Sequence, residues 1–149
     1  MSRGYFGIGV YNPKKEINIG TLWRSAYNFG ASFIFTIGKR YRDQSSDTCR
    51  SYKHVPLFHY QSFFEFRKLI PYNSIVVAVE QDKSSKDICN FAHPERAIYL
   101  LGAEDYGLSV NILKQCHYTI SISTPLCLNV SIAGSIVMYD RLIKLRRCN

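Results

Sequence analysis

The chain has no Cys-x-x-Cys pair, and its five cysteines, at 49, 89, 116, 127 and 148, are odd in number and widely spaced. That pattern excludes a zinc ribbon and a disulfide framework; it predicts reduced thiols and no metal. No apolar run reaches the roughly 18 residues of a membrane helix, so no membrane partner is expected. The opening residues, from Met1 to Gly7, lack the apolar core of a signal peptide, which predicts a cytoplasmic protein. Internal repeats, low-complexity tracts and linkers are all missing. Acidic side chains are few: 11 against 19 basic ones, a net charge of +8. The bases cluster at Lys14-Lys15, Lys39-Arg40-Tyr41-Arg42, Arg50, Lys53, Lys144, Arg146 and Arg147. A basic surface with aromatics among its arginines favours a polyanionic partner, RNA above all; a merely solubilising surface is the plain alternative.

What is present is an ordinary globular composition, 46% hydrophobic and 20% charged over 149 residues. That is enough for one domain, residues 1–149, with a proper core. Residues 4–11 read as a first strand with three glycines that imply close backbone packing. Gly7 and Gly9 do not open a dinucleotide fingerprint, because Asn12 stands where the third glycine would fall. Residues 18–29 read as a helix capped by Asn18, with Ile19, Leu22, Trp23, Ala26 and Tyr27 inward and Gly30 closing it. Further strands are expected at 32–38, 57–60, 75–79, 97–101 and 117–122. Short helices are expected from Ser45 to Lys53, at 62–69 with Phe63, Phe66 and Leu69 inward, at 88–91, and from a Ser109 cap to Gln115. Residues 83–87 read as a charged loop. The alternation implies an α/β fold, a mostly parallel sheet with helices on both faces.

The C-terminal run from Thr119 to Arg147 organises the rest. It starts as a strand, breaks at Pro125 and continues as a helix. Leu128, Ile132, Ile136, Tyr139 and Ile143 form its apolar stripe. Ala133, Gly134 and Ser135 let another backbone come close. Cys127, Asn129 and Ser131 sit at the junction of strand, loop and helix, where open α/β proteins bind ligands.

Three polar constellations follow strand ends. The first is Asn18-x-Gly20-x-x-x-Arg24. The second is Gly102-x-Glu104-x-x-Gly107-Leu108, where a glycine at a buried strand end lets a flat ligand approach. The third is Cys127-Leu128-Asn129-x-Ser131. Singly, each has a plain reading: a cap, a loop acid, a helix start. Together, in this order, they resemble the SpoU class of RNA 2′-O-ribose methyltransferases within the SPOUT superfamily. The resemblance runs from Gly7 to Arg141. Two departures stand out: Cys127 replaces the usual serine, and the loop from Ile122 to Cys127 is shorter than usual, with Ser123 where proline is common.

The resemblance implies a C-terminal deep trefoil knot, a homodimer packed through the first and last helices, and S-adenosylmethionine as cofactor. It implies a pocket lined by backbone from Val79, Glu80, Leu101, Gly102, Ile122 and Leu128. It implies a catalytic group of Arg24, Asn18, Glu104 and Asn129. Asn18 orients Arg24, Glu104 holds the loops, and Asn129 fixes the knot and the substrate ribose. An arginine is always protonated, so Arg24 suits stabilising the developing alkoxide and clamping a phosphate better than acting as a base. Arg40, Arg42, Lys53 and His54 are candidate RNA contacts on a basic loop. The lack of an appended RNA-binding domain favours tRNA over rRNA as substrate. A non-catalytic basic RNA-binding protein on the same fold is the alternative from another class. A third reading makes Cys127 a nucleophile, though no flanking motif supports it.

Overall fold

A computed structural model describes residues 4–39 and 50–147. Its elements run β1 (Tyr5–Tyr11), α1 (Glu16–Phe29), β2 (Phe33–Ile37), a 3-10 turn at Ser51–Lys53, β3 (Leu57–Tyr60), α2 (Phe63–Leu69) and β4 (Ile75–Val79). Then come β5 (Lys86–Asp87), a 3-10 turn at Ile88–Asn90, β6 (Arg96–Gly102), α3 (Val110–Gln115), β7 (Tyr118–Ser121) and α4 (Val130–Arg147). The seven strands form one sheet in the order β3-β2-β1-β6-β4-β7-β5, with every pairing parallel.

Both faces of the sheet are buried, which is why β2, β4 and β6 are apolar without alternation. On one face Ile8, Val10, Ile34, Val77, Tyr99 and Leu101 meet Leu22 and Trp23 of α1 and Val137 and Met138 of α4. On the other, Phe33, Phe35, Val76, Ala78, Ile98 and Leu100 meet Phe63 and Phe66 of α2 and Ile112 of α3. The glycines of β1 belong to this second face. A Cβ on Gly7 would stand 2.3 Å from Phe33 Cζ, and one on Gly9 would stand 2.3 Å from the Phe35 carbonyl. Glycine in β1 is what lets the phenylalanines of β2 lie across the neighbouring strand.

Several expectations are corrected. α1 starts at Glu16, and the residue at its cap position, Lys15, makes no side-chain cap bond. Asn18 is therefore inside the helix, not its cap. Leu69 and Tyr27, both expected inward, are exposed: α2 ends at Leu69, and Tyr27 stacks on His54 outside the buried face of α1. The loop at 83–87 contains the short edge strand β5. The helix expected from Ser45 falls partly on residues 45–49, outside the described residues; only the turn at Ser51–Lys53 is seen.

The largest correction concerns α4. Ile132, Ile136 and Tyr139 are exposed, at 52%, 37% and 53%. The residues that pack inward are Val130, Val137, Met138 and Arg141. The two sets are offset by about two positions, or roughly 200° around a helix. α4 thus carries two stripes, and periodicity alone selected the outer one. The small residues explain the choice of inner face. A Cβ on Gly134 would lie 2.5 Å from Leu22 Cδ1, and Ser135 Oγ donates to Ser25 Oγ at 2.8 Å, so α4 sits close on α1.

Farther along, a buried polar cluster pins α4 to the sheet. Arg141, 3% exposed, donates to the carbonyls of Pro94 (2.5 Å) and Glu95 (2.8 Å) and to Tyr99 Oη (3.2 Å). Its guanidinium lies 4.9 Å from the centre of the Phe6 ring. His93 Nδ1 is 2.6 Å from Tyr99 Oη, and its Nε2 is 2.7 Å from Asp140 Oδ2. This geometry fits a neutral imidazole with its proton on Nε2, accepting from the tyrosine. Burial lowers the His93 pKa, against the opposing pull of Asp140, and burial raises Tyr99 to about 12. On α1, Trp23 Nε1 donates to the Val55 carbonyl at 2.8 Å, and Tyr27 stacks on His54.

Candidate active site

The loops after β4, β6 and β7 surround a cavity of about 300 Å³ at the C-terminal ends of the strands. This is where parallel sheets present their loops to ligands. All six residues expected to form a cofactor pocket line it: Val79, Glu80, Leu101, Gly102, Ile122 and Leu128. Cys127 and Glu104 line it as well.

One side chain from each of the three constellations meets at its edge. Asn18 Nδ2 donates to Glu104 Oε1 at 2.9 Å. Asn129 Nδ2 donates to Asn18 Oδ1 and to Glu104 Oε1, both at 3.0 Å. Asn129 Oδ1 accepts from Ser131 N at 2.9 Å and Ser131 Oγ at 2.5 Å. One side chain therefore caps α4 and ties it to α1 and to the loop after β6. Its amide is engaged at both ends within the chain.

The loop from Gly102 to Leu108 is tight. Gly107 N donates to the Ala103 carbonyl at 2.9 Å, and Leu108 N donates to Glu80 Oε2 at 2.8 Å. Gly107 has φ +59°, and a Cβ there would strike the Glu80 carboxylate at 2.3 Å. A Cβ on Gly102 would lie 2.5 Å from the Gly107 carbonyl carbon. Glycine at 102 is thus what lets the other limb of the loop fold back against the strand end, while Gly102 itself lines the cavity. Glu80 acts here as a latch through its side chain.

Arg24 does not line the cavity. It is exposed on α1, six residues beyond Asn18, which places it about 9 Å farther along and about 120° around the helix. Lys53 and His54 are exposed on the turn beside α1 and also lie off the cavity. Arg40 and Arg42 fall outside the described residues. Among the described residues, no cluster of His, Cys, Asp and Glu could hold a metal, and no helix is long and apolar enough to cross a membrane.

Sequence reasoning missed Gln81. Its Nε2 donates to the Ile122 carbonyl at 3.1 Å and to Thr124 Oγ1 at 3.2 Å, tying the end of β4 to the loop after β7. Its place in the polar run Glu80-Gln81-Asp82 at a strand end was the available signal. Tyr106 was missed too; it lines the cavity while 93% exposed.

Solved structures share this architecture. One, giving structural insights into the 2-OH methylation of C/U34 on tRNA, superposes with a TM-score of 0.84 at 21% identity, over 97% of this chain and 98% of that one. The AdoMet-bound rRNA methyltransferase of Sinorhizobium meliloti gives 0.79 at 23% identity, over 98% of this chain and 57% of that one. Among curated proteins, the mouse (Mus musculus) tRNA (guanosine(18)-2′-O)-methyltransferase TARBP1 is 24% identical over 138 residues, which is 85% of this chain but only 8% of the mouse protein. The profile of the SpoU rRNA Methylase family matches residues 6–139. With nearly the whole chain inside that match, and Asn18, Glu104 and Asn129 joined at one cavity, the chain belongs to the SpoU rRNA methylase family.

Proposed function

We propose that the chain is an S-adenosylmethionine-dependent RNA methyltransferase that modifies a ribose 2′-hydroxyl, in tRNA rather than rRNA. The observation that carries this is the hydrogen-bonded triangle of Asn18, Glu104 and Asn129 at the cavity edge. Family membership and the 2′-O-methyltransferase among its relatives support the reaction class. The tRNA preference leans on that relative and on the tRNA-directed neighbour.

The cavity suits the cofactor chemically. Val79, Leu101, Ile122, Leu128, Val130 and Ala133 offer apolar walls for an adenine, and the carboxylates of Glu80 and Glu104 favour a cation. Bound S-adenosylmethionine supplies an electrophilic methyl on a sulfonium together with its own leaving group. What the chain adds is positioning and charge. Asn18, Glu104 and Asn129 hold the entry of α4 and the loop after β6 in fixed relation. For Asn129 to touch the ribose as well, it must trade one of its present bonds.

Arg24 needs a second copy of the chain. α1 exposes Ile17, Arg24 and Tyr27, and the adjoining α4 exposes Ile132, Ile136 and Tyr139. Exposed apolar side chains on two packed helices suit a homodimer. In that arrangement Arg24 of one copy serves the cavity of the other. There it stabilises the developing negative charge on the ribose oxygen and clamps the neighbouring phosphate. The knot implied by the resemblance, formed by the C-terminal segment, belongs to the same proposal. So do a cytoplasmic location and RNA contacts by Arg40, Arg42, Lys53 and His54.

Ribose-methylation mapping of total RNA, with and without this protein, tests the reaction. The expected result is loss of a 2′-O-methyl mark, on a tRNA, when the protein is removed. A lost mark on a base carbon, or no lost mark, overturns the proposal.

A further inference from the structure

Tyr106 is the one residue of the 103–107 loop that the fold does not employ. The rest of the loop is tied down. Gly107 N bonds to Ala103, Leu108 N to Glu80, Glu104 to Asn18 and Asn129, and Asp105 to Lys14. Tyr106 is 93% exposed at the tip of this braced loop, and it lines the cavity. Burying it against the chain would be the cheaper arrangement for an aromatic ring. A tyrosine has few rotatable bonds, so a ring on a rigid loop is a surface ready for stacking at little entropic cost.

The loop that carries the ring is joined through Asp105 to a basic stretch. Lys14 Nζ pairs with Asp105, and Lys39 Nζ donates to the Lys14 carbonyl at 3.4 Å. Lys15 follows Lys14, and Lys15 and Lys39 are both exposed. Lys39, Lys14, Asp105 and Tyr106 therefore form a continuous line from the end of β2 to the cavity. Other strongly exposed aromatics, Phe64 at 76% and Tyr72 at 85%, lie in or just after α2, which covers the opposite face of the sheet.

We infer that Tyr106 is the stacking platform for an unpaired base of the RNA whose sugar enters the cavity, and that Lys15 and Lys39 hold the phosphates beside it. The inference rests on the reaction proposed above and narrows its substrate to a nucleotide in a loop or single strand. A base within an A-form duplex is already stacked and paired, so it cannot lie on the ring while its sugar reaches a recessed cavity. A stacked base also needs no particular identity, since every base has a π-face. On this account Tyr106 selects for an unpaired nucleotide, and sequence preference comes from elsewhere.

The test compares the full-length protein with Tyr106→Ala, Tyr106→Phe and Tyr106→Trp in filter binding. The probes are unfractionated tRNA and a fully paired RNA duplex, with cofactor affinity measured separately by calorimetry. Tyr106→Ala should weaken tRNA binding roughly tenfold or more, from the lower part of the range for one base–aromatic stack upward. Phe and Trp should restore it, duplex binding should not change, and cofactor affinity should fall by a smaller factor. Replacing Lys15 and Lys39 together should flatten the salt dependence of tRNA binding by about 1.4 in log–log slope, for two single-strand phosphate contacts. Wild-type tRNA affinity in Tyr106→Ala, or a loss of cofactor affinity as large as the loss of tRNA affinity, overturns the inference. If methylation mapping shows no ribose mark while tRNA binding still depends on an aromatic ring at 106, the enzymatic reading fails and the stacking reading stands. The converse pattern separates them in the other direction.

Discussion

Asn18 and Glu104, 86 positions apart in the chain, are joined by a 2.9 Å hydrogen bond in which the amide of Asn18 donates. Asn18 is 8% exposed, so it has little water to fall back on. Asn18→Asp keeps the shape and removes the donor, setting one carboxylate against another. We expect it to lower stability by about 2 kcal/mol, the usual cost of an unsatisfied, partly buried polar contact. It should abolish methylation, whereas Asn18→Ala should be milder on stability. Urea unfolding and a methyl-transfer assay check both; a fully active Asn18→Asp would show the triangle to be dispensable.

Arg24 and Glu104 should complement each other across a dimer. Arg24→Ala and Glu104→Ala are each expected to be inactive alone. Mixed after partial unfolding and refolding, they form hybrids in which one cavity has both an intact Glu104 and an intact Arg24. Random pairing predicts roughly one quarter of wild-type activity for a symmetric dimer. Activity no higher than in either variant alone would place Arg24 outside the partner's cavity.

His93 should make the fold acid-sensitive. Its native pKa is held below the ordinary 6.5, chiefly by burial, so the unfolded chain binds the proton first as acid is added. The stabilisation from neutral His93 is complete above about 6.5 and drains away as pH falls from there through the native value. The slope should not exceed about 1.4 kcal/mol per pH unit for one such group. Unfolding free energies taken from neutral to mildly acidic pH should show this slope in the wild type and lose it in His93→Gln. An unchanged slope in the variant would assign the effect to other groups.

Cys127 lines the cavity and is exposed, yet its place in the sequence is one that normally holds serine in the resembling family. Cys127→Ser should keep methyl transfer within a few-fold of wild type. Complete loss would point to a thiol nucleophile instead.

The sheet was legible because its strands are buried on both sides: Ile75–Val79 and Ala97–Leu101 are unbroken apolar runs that no surface element would carry. The site was legible for a different reason. Asn18, Glu104 and Asn129 sit at recognisable spacings, and the structure joins them. The role of Asn18 was misread because a polar residue at the start of an apolar pattern looks like a cap, and only a partner 86 residues away says otherwise. α4 defeated periodicity since it has two apolar stripes, and the choice between them depends on how closely Gly134 lets it approach Leu22. Arg141 was invisible for a related reason. A buried cation is foreseeable only when the carbonyls that satisfy it, here those of Pro94 and Glu95, are known to lie opposite.

The bond from Trp23 Nε1 to the Val55 carbonyl has a practical consequence. Trp23 is the sole tryptophan of the chain and is 5% exposed. Its emission is thus a single-site signal of whether the segment around Val55 stays docked on α1. A red shift on adding RNA, without loss of helical circular dichroism, would register the lifting of that segment, in real time and with no label attached.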